Sequence, residues 1–236
     1  IAALKLGKSV WCEKPMSSNL PDSKKMLSAS KKSKGKTIIG YNYTKNPAVL
    51  HARELIETGV IGDVAGFFCR YDVDNEADKK RPWSWRMSRK ASGTGANGDI
   101  LSHVISVAHF LVGSTISKVV GDINIVHLKR KDPTNRKQTK TVDNDDMISA
   151  LIHFQNGVHG HIGASRVTWG KKCGLTWEVH GTEGTIIFDQ ERLNEIKLFT
   201  RQKKKSTDGF RTILTGPDHP FYKSFLPNGG HSLGFM

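Results

Sequence analysis

Apolar positions along this chain change their spacing part-way, and the change divides it in two. Residues Ile1 to Lys8 alternate small apolar and basic side chains like the last turns of a helix, with Gly7 where a C-terminal cap is favoured. Val10, Trp11 and Cys12 then form the short apolar run of a buried parallel strand, which Pro15 stops because proline cannot donate to a sheet ladder. From Leu20 the spacing turns helical: Asn19 or Asp22 can cap, Met26, Leu27 and Ala29 recur on one side, and Gly35 ends the element. Thr37 to Tyr43 reads as the next strand. This alternation predicts that residues 1–45 are the closing strand-helix-strand part of a doubly wound, Rossmann-type sheet.

Beyond residue 45 the pattern differs. Asn46-Pro47 starts a helix that ends at Gly59, Asp63 to Asp74 is a strand, and Asn75 to Asn97 is a long polar loop. Gly93, Gly95 and Gly98 lead to Asp99, which opens a helix from Ile100 to Val112, closed by Gly113. Strands follow at Val119 to Leu128, Asp146 to Phe154, Val158 to Thr168, Leu175 to His180, Thr185 to Phe188 and Ile196 to Thr200. Gln155-Asn156-Gly157 is a hairpin turn and Gly181 to Gly184 a tight connection, while Lys129 to Thr141 reads as a basic loop and Phe210 to Met236 as an irregular tail. The fold class is α+β, with residues 46–236 forming an open antiparallel or mixed sheet with helices on one face.

The net charge of +14 on 236 residues raises nucleic acid or an anionic surface as a partner. The basic residues are scattered, and their denser runs, Lys129 to Lys140 and Arg201 to Lys205, lie in polar segments, so neither nucleic acid nor membrane is expected as a partner. Cys12, Cys69 and Cys173 are widely spaced and odd in number, which fits a reducing cytoplasm better than a disulfide framework or a zinc site. His153, His159 and His161 read as sheet-face residues rather than a metal cluster.

Chemistry concentrates at a few positions. Glu13 and Lys14 fall at a strand's C-terminal edge, where open α/β sheets bind ligands, although a solvated turn would also carry them. Asp99 and His103 are four apart and share a helical face; an N-terminal charge and a satisfied helix residue would show the same spacing, and two side chains are too few for a metal. Tyr41 and Tyr43 are either strand aromatics or the lining of a pocket, with Asn42 between them. Trp85 and Arg86 could face a sugar ring and its oxygens or cover the edge of the core. His231 is a further pocket candidate.

The run Val10 to Met16, centred on Glu13-Lys14-Pro15, resembles the Glu-Lys-Pro signature of the glucose-fructose oxidoreductase/inositol dehydrogenase/rhizopine catabolism (Gfo/Idh/MocA) dehydrogenases. Gly40 to Tyr43, Pro47-Ala48, Gly59 to Gly62, Gly98 to His103, Asn156 to Val158 and Gly181 to Gly184 fall in family order, so the likeness covers nearly the whole chain. The resemblance implies an NAD- or NADP-dependent oxidoreductase acting on a secondary alcohol of a sugar or cyclitol. It makes Lys14, Asp99 and His103 catalytic, puts Glu13, Lys14 and Asn42 at the cofactor, and suggests Tyr43, Trp85, Arg86 and His231 for the substrate. No metal is implied. Ser106 departs from the pattern, which often has aspartate three residues after the histidine. The Gly-x-Gly-x-x-Gly turn that precedes this motif in the family is not in the sequence, so the chain reads as a fragment expected to be active only in a longer chain; as it stands it could instead be a sheet-mediated association module. Family sheets pair across their uncovered face, which implies a homodimer or homotetramer.

Overall fold

The computed structural model describes residues 1–224 and 228. The first unit is small: α1 (Ala2–Lys5), β1 (Val10–Cys12), α2 (Leu20–Lys32) and β2 (Thr37–Ile39), with β1 and β2 paired in parallel. Gly7 takes the left-handed conformation after α1, with φ +69°. Asn19 caps α2 by accepting the backbone N–H of Asp22, and Pro21 sits in the first turn where its missing N–H costs nothing. The helix stops at Lys32 with Ser33 as its cap, short of the end expected at Gly35, because Ser33 turns extended.

Strand β2 is shorter than the Thr37 to Tyr43 run predicts. Gly40 donates its N–H to Cys12, and the chain then turns into a 3₁₀ helix at Asn42–Lys45, so Asn42 and Tyr43 leave the strand just beyond its C-terminal edge. Asn46 caps α3 (Pro47–Glu57) through the N–H of Ala48, and Gly59 follows it at φ +75°. Then come β3 (Val64–Asp72), α4 (Arg89–Ser92), α5 (Ser102–Val112), β4 (Ile116–Asn124), β5 (Lys129–Lys131), β6 (Thr139–Thr141), β7 (Met147–Phe154), β8 (His159–Ser165), β9 (Gly174–Gly181), β10 (Gly184–Asp189), β11 (Glu195–Thr200) and β12 (Arg211–Leu214).

Eight strands form one sheet in the order β12-β11-β10-β9-β3-β8-β7-β4. Only the central pair β3 and β8 runs parallel within it. The strands obey a two-residue period: along β7, Ala150, Ile152 and Phe154 are buried while Ser149, Leu151 and His153 are exposed. The buried face joins Phe67, Trp177, Val179 and Phe188 to Val104, Val107, Ala108 and Leu111 of α5 and to Ala48, Val49 and Ala52 of α3. Helices cover that face; on the other, Phe68 and Leu151 remain exposed.

Several boundaries differ from expectation. The basic stretch 129–141 is a two-stranded hairpin rather than a loop, because Arg130 turns inward and donates to the carbonyl oxygens of Glu76, Asp78 and Arg81. The tail from Phe210 contributes β12 at the sheet edge and the fully buried Tyr222, whose hydroxyl donates to Asn194. The strand predicted over Val119 to Leu128 is shifted to Ile116–Asn124, since its partner β7 ends at Phe154 opposite Ile116. His153 and His159 are register partners with ring centroids 4.0 Å apart, so these residues and His161, two further along β8, share the exposed face.

Candidate active site

The site forms where the end of β1 meets the approach to α5. Asp99 lies in one π-helical turn, Asn97–Leu101, rather than opening the α-helix, which begins at Ser102. The wider turn has a cause in Asp145, a buried residue whose carboxylate accepts the backbone N–H groups of Gly95 and Asn97 and whose main-chain oxygen accepts that of Ala96. Three donors at the start of the helix are thereby satisfied from a loop 50 residues away in sequence. Gly95 permits it: a Cβ there would lie 1.9 Å from the Asp145 carbonyl oxygen. Gly93, at φ +82°, brings the loop against Ser18, where a Cβ would lie 2.2 Å from the carbonyl oxygen. The Lys14 segment and the approach to α5 are thus held face to face.

Lys14 Nζ donates to Asp99 Oδ1 at 2.8 Å and to the Asp99 main-chain oxygen at 2.7 Å. Half the Asp99 side chain is exposed, so this ion pair is a positioning contact more than a source of stability. His103 is buried to 5 % exposure, one turn further on. Its ring lies 4.3 Å from that of Tyr43 and meets Tyr41 and Tyr71 edge-on at 5.7 and 6.1 Å. Burial and then the Lys14 charge push its pKa down to about 4 against the opposing pull of Asp99. The Tyr43 hydroxyl bonds that of Tyr71 at 2.8 Å, and burial raises both phenols.

Glu13, Lys14, Asn42, Tyr43, Asp99 and His103 line one cavity of about 440 Å³. Trp85 and Arg86 line a second, of about 410 Å³, which shares Lys14 and Asp99 with the first. Arg86 lies over the Trp85 ring, 4.5 Å from its centroid. The proposed site residues are therefore brought together, except His231, which lies outside the described residues. Unread in the sequence were Glu76, which lines the second cavity beside Arg81, and the buried Asn144, Asp145, Asp146 and Arg166 around it. Arg166 pairs with Asp146 at 2.7 Å and donates to Asn144 and to the Arg86 carbonyl. Three consecutive polar residues, Asn144 to Asp146, just ahead of an apolar strand are the one signal the sequence offers for this cluster.

A sequence profile described as the GFO/IDH/MocA C-terminal domain matches residues 49–187, more than half of the chain. Levoglucosan dehydrogenase of Pseudarthrobacter phenanthrenivorans is 35% identical over 248 residues, covering 100% of this chain and 63% of its own length. Myo-inositol 2-dehydrogenase of Thermotoga maritima is 27% identical over 205 residues, covering 86% of this chain and 55% of its own. A solved structure of levoglucosan dehydrogenase in complex with NADH and L-sorbose superposes with a TM-score of 0.94 at 36% identity, over 99% of this chain and 62% of that one. The chain thus spans less than two thirds of the length of these relatives.

Proposed function

The chain belongs to the GFO/IDH/MocA family, and on that premise we propose that it is the catalytic part of an NAD- or NADP-dependent oxidoreductase acting on a secondary alcohol of a sugar or cyclitol. The observation that carries this reading is the junction of two cavities at the Lys14–Asp99 pair, with His103 lining one of them. Relatives named for levoglucosan, glucose 6-phosphate and myo-inositol oxidation support the alcohol chemistry, and a neighbour holding NADH supports the cofactor. Residues 1–45 would belong to the dinucleotide-binding domain and residues 46–236 to the catalytic and association domain.

The first cavity fits a nicotinamide. It opens beyond the C-terminal ends of the parallel strands β1 and β2, and Gly40 keeps it clear, since a Cβ there would crowd Trp11 Nε1 at 3.1 Å and Glu13 Oε2 at 3.2 Å. Glu13, Lys14 and Asn42 would hold the ring. When bound, the cofactor supplies the hydride acceptor. His103, neutral at pH 7, takes the hydroxyl proton, and the Lys14 ammonium steadies the alkoxide that forms. Asp99 fixes the ammonium through its two contacts. Tyr43, Trp85 and Arg86 would touch the sugar. A reducing cytoplasm is part of the same reading, favoured by three widely spaced cysteines.

The test is alcohol-dependent reduction of NAD and NADP by the full-length enzyme, with levoglucosan and myo-inositol as substrates. His103→Ala should lower turnover by roughly 10²- to 10⁴-fold, the usual worth of a positioned acid-base group, while leaving cofactor affinity nearly unchanged. Lys14→Ala should weaken both. Turnover that survives in the His103 variant would remove His103 from the chemistry.

A further inference from the structure

The second cavity carries four cations, Lys14, Arg81, Arg86 and Arg166, and at first sight invites an anionic substrate. Three of them already have anionic partners. Lys14 is held by Asp99, Arg166 by Asp146, and Arg81 lies 3.3 Å from Glu76 Oε2 while donating to the Asn75 carbonyl. Arg86 stacks on Trp85 and, among the described residues, makes no hydrogen bond through its guanidinium. The unmet demand in this cavity is that of an acceptor. Glu76 is buried to 5 % exposure, it lines the cavity, and its Oε2 has no hydrogen-bond partner despite the charge contact with Arg81. A buried carboxylate oxygen left without a hydrogen-bond donor is costly, and such atoms are normally paired with protein, water or ligand.

We propose that Glu76, held by Arg81, is a subsite that accepts hydrogen bonds from the hydroxyls of a neutral polyhydroxylated ring, and that the cavity selects such a ring over a sugar phosphate. This deepens the sugar-oxidation reading above and rests on it. The hydroxyls are the donors a carboxylate lacks, whereas a phosphate would face two acceptor carboxylates, Glu76 and Asp99, with Arg86 alone uncommitted to an anion. Arg86 and Trp85 give the ring a flat apolar face with donors at its rim. A site built to bond a hydroxyl discriminates strongly, because the wrong ligand leaves its buried polar group unpaired.

Levoglucosan, as the neutral probe, and glucose 6-phosphate, as the anionic one, are titrated into the protein with and without NADH. Calorimetry should give levoglucosan at least tenfold the affinity of glucose 6-phosphate, and Glu76→Gln should weaken levoglucosan at least tenfold. Because Glu76 is buried, a parallel readout uses the wild-type protein: levoglucosan should shift the backbone amide signals of residues 75–76 and 94–95. Equal or tighter binding of the phosphate, undiminished affinity in the variant, unmoved amides or no binding of levoglucosan each overturns the subsite. The His103→Ala variant separates this from the catalytic reading, since it should still bind levoglucosan while losing turnover. If it keeps its turnover, the catalytic assignment fails and the Glu76 result stands by itself.

Discussion

Burial holds His103 neutral until the pH falls to about 4, well below histidine's ordinary 6.5. A base must be unprotonated to work, so the acid limb of alcohol oxidation belongs near pH 4 to 5, not near neutrality where an unperturbed histidine would place it. A pH–rate profile with a half-maximum between 6 and 7 that persists in His103→Ala would assign the limb to another group. The same shift has a consequence for stability. With the folded pKa below the unfolded one, the unfolded chain binds the extra proton, and the contribution is complete above about 6.5 and lost as pH falls toward about 4. Its size is about 3 kcal/mol, from 1.36 kcal/mol for each pKa unit, and denaturant melts at pH 7 and 4.5 should differ less in His103→Ala than in the wild type. Residues such as Lys14, Asp99 and His103 were legible because spacing and family likeness both mark them. Glu76 and Arg166 were not: Arg166 meets Asn144 and Asp146 from the approach to β7, and the burial that leaves Glu76 with Arg81 alone is tertiary, so no local pattern encodes either.

At the level of elements, the hinge of the site is the π turn at Asn97–Leu101, which Asp145 holds from the loop before β7. Replacing Asp145 by alanine orphans the N–H groups of Gly95 and Asn97. That should destabilise the protein by about 2–6 kcal/mol, from roughly 1–3 kcal/mol for each buried donor left unpaired, and turnover should fall because Asp99 loses its support. Chemical denaturation of Asp145→Ala and Asp145→Asn reads this, the asparagine retaining one acceptor and recovering part of the loss. The alternation of β7 and the helical spacing of α3 and α5 were readable because one face of each is buried against a single core. The hairpin β5–β6 was not, since its strands are polar and only Arg130 turns inward. The π turn was equally hidden, because it comes from a tertiary cap rather than from the propensities of Asn97 to Leu101.

At the scale of the molecule, the unanswered surface is the sheet face away from the helices. Val120, Leu151, His161, Phe68, Glu178 and Ile187 form one register row across β4, β7, β8, β3, β9 and β10, with Val120, Leu151 and Phe68 at 75 %, 61 % and 42 % exposure. Exposed Val120, Leu151 and Phe68 in one row of an open sheet mark an association surface. We infer a homodimer or homotetramer built on this face. Two such chains each carry a net charge of +14, so long-range repulsion opposes the apolar contact. Salt screens the repulsion over a Debye length of about 8–10 Å near physiological ionic strength, whereas it leaves apolar burial intact. Association should therefore strengthen, not weaken, between low and moderate salt. Leu151→Glu and Phe68→Glu place a charge in the middle of the row and should shift the protein to monomer without altering its melting in dilute solution. Sedimentation velocity across a salt series checks both, and a wild-type protein that stays monomeric at micromolar concentration in every salt would leave this face without a partner copy.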